Sequence, residues 1–139
     1  MKGNSVAIDT GVLLELLSKT ELGIKFNNSI IKAPNIEFLY ISPLVEAELI
    51  YINCRKKNFI QAKKIIKDFL KPFIIIEERE IRYKAAELKC KFSISLADCY
   101  ILAVGIENSI PVFMKREDEI EKILSLLKEE VDIYFIDDL

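Results

Sequence analysis

The chain alternates short apolar runs of strand-forming residues with longer segments of helical periodicity. The predicted strands are residues 5–8, 38–41, 73–76, 110–114 and 133–136. The predicted helices are residues 12–18, 21–31, 43–57, 59–70, 80–91, 96–107 and 117–128. Because strands separated by helices form parallel sheets with helices on both faces, the alternation predicts an α/β fold. A length of 139 residues suits one domain, and we expect a single domain over residues 1–139.

Composition narrows the chemistry that such a domain can perform. Histidine is absent, which excludes histidine-based acid/base catalysis, Ser-His and Cys-His nucleophiles and histidine zinc sites. The formal net charge of −2 argues against nucleic-acid binding by overall charge. The basic strip CRKKN at residues 54–58 could act locally, although a solvated helix face is the simpler interpretation. Catalysis must therefore use carboxylates, hydroxyls, lysines or a metal held by oxygen.

The cysteines and the hydropathy pattern indicate the compartment. Cys54, Cys90 and Cys99 form no C-x-x-C pair. The sequence shows no signal peptide and no apolar run long enough to cross a bilayer. We therefore expect a cytoplasmic protein with reduced thiols and no membrane contact.

Asp9 stands between the first predicted strand and the first predicted helix, in the stretch SVAIDTGVLLELL. Two interpretations apply to its carboxylate. It could cap the helix, because Asp accepts hydrogen bonds from the free amides of a first helical turn. It could also belong to a site, because parallel α/β sheets bind ligands outside the carboxyl ends of their strands.

Glu48 lies on an apolar stripe of the helix that follows the second predicted strand. It shares this stripe with Val45, Leu49 and Ile52, at helical spacing. A buried carboxylate is costly there unless it is paired or binds a cation. The alternative is a side chain at the edge of the stripe that extends to water.

Acidic residues occur at two further places where either a structural role or a functional site can explain them. Asp98 comes three residues after Ser95 and opens a nearly all-apolar helix, where a capping box is the alternative to a site. Glu117, Asp118 and Glu119 follow the fourth predicted strand, where the helix dipole and solvent also account for acidic residues.

These carboxylates are more informative together than singly. Asp9, Glu48 and Asp98 are all predicted to face one edge of the sheet, with a fourth carboxylate from Glu117 or Asp118. Like charges at short range raise one another's pKa and require a cation. Because ligation by oxygen alone suits Mg²⁺ or Mn²⁺, hydrolysis of a phosphodiester is the matching chemistry.

The segments AIDTGVLLELL, ISPLVEAEL, SISLADCYILAVG and IPVFMKREDEI follow one another along the chain. In order and spacing they resemble the motifs of the PIN domain family, a small nuclease fold that includes the VapC-type toxins of toxin-antitoxin pairs. The resemblance covers essentially the whole chain. It implies a three-layer α/β/α fold with a five-stranded parallel sheet. It also implies a Mg²⁺- or Mn²⁺-dependent endoribonuclease, often a homodimer and often silenced by an antitoxin.

The resemblance assigns Asp9, Glu48 and Asp98 to the three firmest acidic positions of the family, and Glu117 to the fourth. Asp118 is the alternative for the fourth position. All four would be catalytic and metal-binding residues. Asp9 and Asp98 would hold the main ion, Glu48 would orient the attacking water or a second ion, and Glu117 would act from outside the direct ligands.

The sequence departs from the family pattern at two places. Gly11 stands where the family often has Asn, and Lys115-Arg116-Glu117 replaces the usual Thr-x-Asp. A lysine at this place is expected to crowd or weaken a second metal position. From the resemblance as a whole, we expect an endoribonuclease that acts on RNA. A catalytically weak or inactive module that binds RNA or protein is the alternative.

Overall fold

Five parallel strands form the centre of the protein, which a computed structural model describes for residues 4–139. The strands are β1 (Ser5–Ile8), β2 (Phe38–Ile41), β3 (Ile74–Ile75), β4 (Val112–Met114) and β5 (Ile133–Phe135). Their order is β3-β2-β1-β4-β5, and every pairing is parallel. The predicted five-stranded parallel sheet is confirmed, with β1 as its central strand.

Helices cover both faces of this sheet. The first four are α1 (Thr10–Ser18), α2 (Glu21–Phe26), α3 (Val45–Cys54) and α4 (Phe59–Phe69), and they contribute to the core on one face. The remaining helices are α5 (Glu78–Lys91), α6 (Leu96–Asn108), α7 (Asp118–Glu121) and α8 (Leu124–Leu127), and they contribute to the core on the other face. The three-layer α/β/α arrangement is therefore confirmed.

Side-chain alternation along the strands separates the two cores. In β1, Ala7 joins one core, whereas Val6 and Ile8 join the other. Successive side chains of a strand point to opposite faces of a sheet, so a strand covered on both faces must be apolar throughout. This requirement explains why the strands read as continuous apolar runs in the sequence.

Some predicted boundaries are wrong. The predicted helix 117–128 is two one-turn helices, because Ile123 leaves the helical conformation with φ −115° and ψ 7°. The predicted helix 21–31 is α-helical only in α2 and continues as a π-helix over Asn27–Ile31. The predicted strand 110–114 pairs only from Val112 onward, after Pro111, which has no amide hydrogen to donate.

The start of α3 also differs from the predicted helix 43–57. The helix begins at Val45 rather than at residue 43, after a separate turn that starts at Ser42. In that turn the Ser42 hydroxyl accepts the Leu44 N–H at 3.0 Å, and the Ser42 carbonyl accepts the Val45 N–H at 3.2 Å. None of the helices within the described residues has both the length and the apolar character that a bilayer crossing requires.

Candidate metal centre

Three carboxylates from separate segments meet at the carboxyl end of the central strand. One oxygen from each of Asp9, Asp98 and Glu117 lies within 4.8 Å of the other two. Asp9 directly follows β1, Asp98 lies in the first turn of α6, and Glu117 precedes α7. Together with Glu48 they line a cleft of about 270 Å³.

Asp9 starts a helix with its backbone and leaves its carboxylate to the cleft. Its carbonyl oxygen accepts the N–H groups of Val12 and Leu13, each at 3.1 Å. Its side chain makes no capping hydrogen bond, although Asp9 occupies the N-cap position of α1. The Asp9 N–H donates to the Phe113 carbonyl of β4 at 3.0 Å. The capping interpretation therefore does not explain this carboxylate, which is only 5% exposed.

Asp98 is placed by a capped and buried helix. Ser95 is the N-cap of α6, and its hydroxyl accepts the Asp98 N–H at 3.1 Å. The helix behind it is buried on most sides, as its apolar sequence predicts. The Asp98 side chain is 6% exposed, and its carboxylate belongs to the acidic group.

Glu48 lines the cleft but stands apart from the closest three carboxylates. Its Oε1 atom accepts a hydrogen bond from the Thr10 hydroxyl at 2.8 Å. This bond ties the first turn of α3 to the start of α1, directly beside Asp9. The carboxylate at the edge of the apolar stripe is therefore held by a partner and is half-buried.

The structure distinguishes between the acidic residues after β4. Glu117 joins the group with Asp9 and Asp98, whereas Asp118 does not line the cleft. Glu119 does line it, although no sequence pattern distinguishes this residue from its acidic neighbours. The path of the chain into α7 determines that the side chains of Glu117 and Glu119 face the cleft and that of Asp118 does not.

Burial and repulsion from neighbouring carboxylates raise the pKa of all three closest carboxyls. Burial is the main cause of the rise in the pKa of Asp9 to about 7, and Asp98, Glu117 and Glu48 add repulsion. Burial also raises the pKa of Asp98 and of Glu117, and Glu119 adds repulsion to both. No lysine or arginine within residues 4–139 forms an ion pair with any of the three. The ionised group therefore lacks a compensating charge, and a divalent cation would supply one.

The donor set fits a hard cation. All the charged groups that line the cleft are carboxylates, and Thr10 and Ser95 add hydroxyls. Mg²⁺ and Mn²⁺ prefer carboxylate and water oxygens, whereas zinc favours the nitrogen and sulfur ligands that this cleft lacks.

Lys115 pairs with a residue outside the acidic group. Its Nζ lies 3.2 Å from Glu15 Oε2, and Glu15 also accepts the Thr20 hydroxyl at 2.6 Å. The lysine stem passes Gly11, where an added Cβ would lie 3.6 Å from Lys115 Cγ and 3.7 Å from Asp9 Oδ2. The two departures from the family pattern therefore adjoin each other. Any crowding near Asp9 comes from the stem of the lysine, because its ammonium is held by Glu15.

A turn after β5 holds the loop that carries Glu117. The Arg116 N–H donates to Asp137 Oδ1 at 2.7 Å. The Arg116 guanidinium lies over the Phe135 ring, 4.7 Å from its centroid, and pairs with Asp138. The residue before Glu117 is thus fixed by both its backbone and its side chain. No local sequence pattern predicts these contacts, since they join positions 21 and 22 residues apart.

Comparison with known protein families identifies the family of this chain. The family model of the PIN domain matches residues 6–124, a range that contains every carboxylate of the cleft. The chain belongs to the PIN domain family. The resemblance found in its four sequence segments is therefore confirmed.

Several solved structures share this PIN fold. VapBC2 from Rickettsia felis, solved with a DNA fragment from its promoter, has a TM-score of 0.72 at 20% identity, covering 94% of this chain and 98% of the other. A toxin-antitoxin complex from Klebsiella pneumoniae has a TM-score of 0.70 at 17% identity, with 94% and 97% covered. FitAcB from Neisseria gonorrhoeae has a TM-score of 0.67 at 21% identity, with 96% and 99% covered. No curated protein sequence matches the chain.

Proposed function

We propose that this PIN domain is a metal-dependent endoribonuclease that hydrolyses phosphodiester bonds of RNA at the acidic cleft. The observation that carries the proposal is the group of Asp9, Asp98 and Glu117, whose oxygens lie within 4.8 Å of one another and form no ion pair with a lysine or arginine of residues 4–139. In a nuclease family, this group is where Mg²⁺ or Mn²⁺ would be held. Such an ion lowers the pKa of water and stabilises negative charge on the phosphate oxygens.

The residues of the cleft would have separate roles in metal binding and in positioning the attacking water. Asp9 and Asp98 are the buried members, and they would hold the ion at a fixed place beside β1. Glu117 is exposed and would complete the ligand set from the loop after β4. Glu48 is oriented by the Thr10 hydroxyl at 2.8 Å, which leaves its second carboxylate oxygen to position a water for attack on phosphorus.

The proposed biological role is the toxin of a toxin-antitoxin pair, with a homodimer as its assembly state. The support for the toxin role comes from the relatives of similar fold, because the Klebsiella pneumoniae structure is a toxin-antitoxin complex. An antitoxin protein would then be the inhibitory partner, and cytoplasmic RNA would be the substrate.

Cleavage of a mixed RNA pool tests the proposed activity. Purified protein is incubated with Mg²⁺, Mn²⁺ or EDTA, in parallel with the variants Asp98→Asn and Glu117→Gln. We expect metal-dependent cleavage that Asp98→Asn reduces at least about a hundredfold, since Asp98 would hold the ion that stabilises the transition-state charge, and loss of such stabilisation costs that much or more. Asp118→Asn is the matched control, because Asp118 neighbours Glu117 without lining the cleft.

The same assay can reject the enzyme. If the wild type and Asp98→Asn are equally inert with every metal while both melt cooperatively, the chain is not a nuclease. An inactive module that binds RNA or protein would then be the better description. If Asp118→Asn loses as much activity as Glu117→Gln, the fourth acidic position has been assigned to the wrong residue.

A further inference from the structure

Positive charge is concentrated in one short part of this acidic protein. Residues 55–71 contain seven of the 20 lysines and arginines but only one of the 22 acidic residues. These residues form the turn between α3 and α4, the whole of α4 and the two residues that follow it. Within the described chain, Lys71 is the only one of the seven in an ion pair, with Asp68. The other cations are therefore available to an anionic partner.

The turn between α3 and α4 is connected to the acidic cleft by one face of α3. Glu48 and Ile52 both line the cleft. Tyr51, Ile52 and Arg55 lie within about 60° of Glu48 around the helix axis, at 100° per residue. Arg55 lies about 10 Å beyond Glu48 along that axis, at 1.5 Å per residue. A strand whose phosphate sits at the acidic group can therefore continue along this face to the basic turn.

Tyr51 and Arg55 form an exposed aromatic and cationic pair at the end of this face. The guanidinium carbon of Arg55 lies 4.5 Å from the centroid of the Tyr51 ring, and the guanidinium also contacts the Tyr51 hydroxyl. Tyr51 is 54% exposed, so the ring that contacts Arg55 is also accessible to a ligand. Lys56 and Lys57 follow directly, and both are exposed.

This turn has a defined backbone. The Asn53 carbonyl accepts the N–H groups of Lys56 and Lys57, at 3.1 and 3.2 Å. The Asn53 side chain donates in turn to the Leu49 carbonyl at 2.8 Å. The basic side chains are therefore presented from a closed turn, and less backbone conformational entropy is lost when they bind a ligand.

We infer that Tyr51, Arg55, Lys56 and Lys57 form a binding subsite for single-stranded nucleic acid, the α3–α4 subsite. The three cations contact phosphates, and the Tyr51 ring stacks on a base. This combination of a basic groove and an exposed ring is how proteins hold single strands without reading their sequence. The inference rests on the proposed function, because it supplies the attraction for RNA that an acidic cleft in an acidic protein lacks.

Binding of a non-cleavable probe tests the subsite separately from catalysis. A fluorescent 2′-O-methyl RNA oligonucleotide is titrated in EDTA at several salt concentrations. The combined variant Arg55→Gln, Lys56→Gln, Lys57→Gln should bind about tenfold more weakly at low salt. The slope of log affinity against log salt should become shallower by about 2, since each phosphate contact in a single strand contributes about 0.7.

Single substitutions at Tyr51 test the stacking. Tyr51→Leu should weaken binding on the order of tenfold with little change in the salt slope, because it removes an aromatic face and no charge. Tyr51→Phe should bind like the wild type, because it keeps the ring. Lys25→Gln is the charge control, since Lys25 is exposed on α2 and has no ion pair within the described residues.

Three results would overturn the α3–α4 subsite. They are unchanged probe binding by the combined variant, an equal loss in Lys25→Gln, and no binding by the folded wild type. Unchanged binding would assign the basic surface to another partner, such as an acidic protein. Because the probe cannot be cleaved and EDTA removes metals, none of these results decides whether the acidic cleft hydrolyses RNA.

Discussion

Asp9 places a buried carboxylate at the start of a helix without using it to cap that helix. Its backbone performs the structural task, and its side chain bears an electrostatic cost that other carboxylates increase. A residue chosen only for stability at this position would be a Ser or Thr whose hydroxyl caps α1. A cation bound at the acidic group would remove this electrostatic cost.

The raised pKa of Asp9 predicts how stability changes with pH in metal-free protein. The unfolded chain releases this proton near pH 4, whereas the folded chain holds it up to about pH 7. Over this window the folded state binds more protons, so its stability falls as the pH rises. We expect Asp9 to lower the free energy of unfolding by about 3 kcal/mol between pH 5 and pH 8.

Urea unfolding in EDTA at these two pH values measures the effect. Asp9→Asn should remove this part of the pH dependence and should be more stable than the wild type at pH 8. Mn²⁺ should stabilise the wild type at pH 8 and have much less effect on Asp9→Asn, since a ligand stabilises only the state that binds it. Identical pH dependence of the free energy of unfolding in the two proteins would show that folding does not raise the pKa of Asp9.

At the scale of elements, apolar periodicity predicts the strands and most helices because burial against a sheet face determines those residues. The boundaries are less predictable, since one residue such as Leu44 or Ile123 decides where helical geometry begins or stops. Close contacts between the backbones of two elements are harder to predict from the amino-acid sequence. Gly23 of α2 packs on the backbone of α1 at Glu15, and no periodic pattern reveals this contact.

The helical glycines should respond differently to alanine. An added Cβ at Gly23 would lie 2.1 Å from the Glu15 carbonyl oxygen, and one at Gly105 would lie 2.4 Å from Val112 Cγ2. Gly23→Ala and Gly105→Ala should therefore each destabilise the protein by about 1–3 kcal/mol. Gly11→Ala should stabilise it by about 0.5 kcal/mol, because its nearest neighbours lie at ordinary contact distances and alanine favours helices.

Thermal melting of the three variants at one pH provides the comparison. Gly11→Ala serves as the control for the substitution itself. A rise in melting temperature for Gly23→Ala equal to that for Gly11→Ala would contradict the close packing of α2 on α1.

At the scale of the whole molecule, the candidate site depends on contacts between distant parts of the chain. Local patterns place Asp9, Glu48 and Asp98 at strand and helix ends, and the parallel topology is enough to predict that they line one cleft, although Glu48 stands apart from the closest three carboxylates. The pairs Lys115–Glu15 and Arg116–Asp137 could not be predicted, because their partners are 100 and 21 residues apart with no local pattern. These contacts follow from the complete fold.

The Arg116–Asp137 contact should influence metal binding through Glu117. Asp137→Ala removes the acceptor for the Arg116 N–H, a hydrogen bond worth about 1 kcal/mol. We expect Mn²⁺ to bind about fivefold more weakly, measured by titration calorimetry. Asp137→Asn retains an oxygen acceptor and should bind Mn²⁺ nearly as the wild type does. Equal affinities in Asp137→Ala and the wild type would show that the loop needs no support from this turn.

The position of β1 at the centre of the sheet has a consequence for biosynthesis. β1 leaves the ribosome first among the strands, but its neighbour β4 follows about a hundred residues later, with Glu117 behind it. The support from Asp137 arrives later still. The acidic group therefore stays incomplete until Glu117 has left the ribosome. With the proposed activity, a nascent chain can cleave RNA only after β4 and Glu117 have left the ribosome and paired with the β1 region.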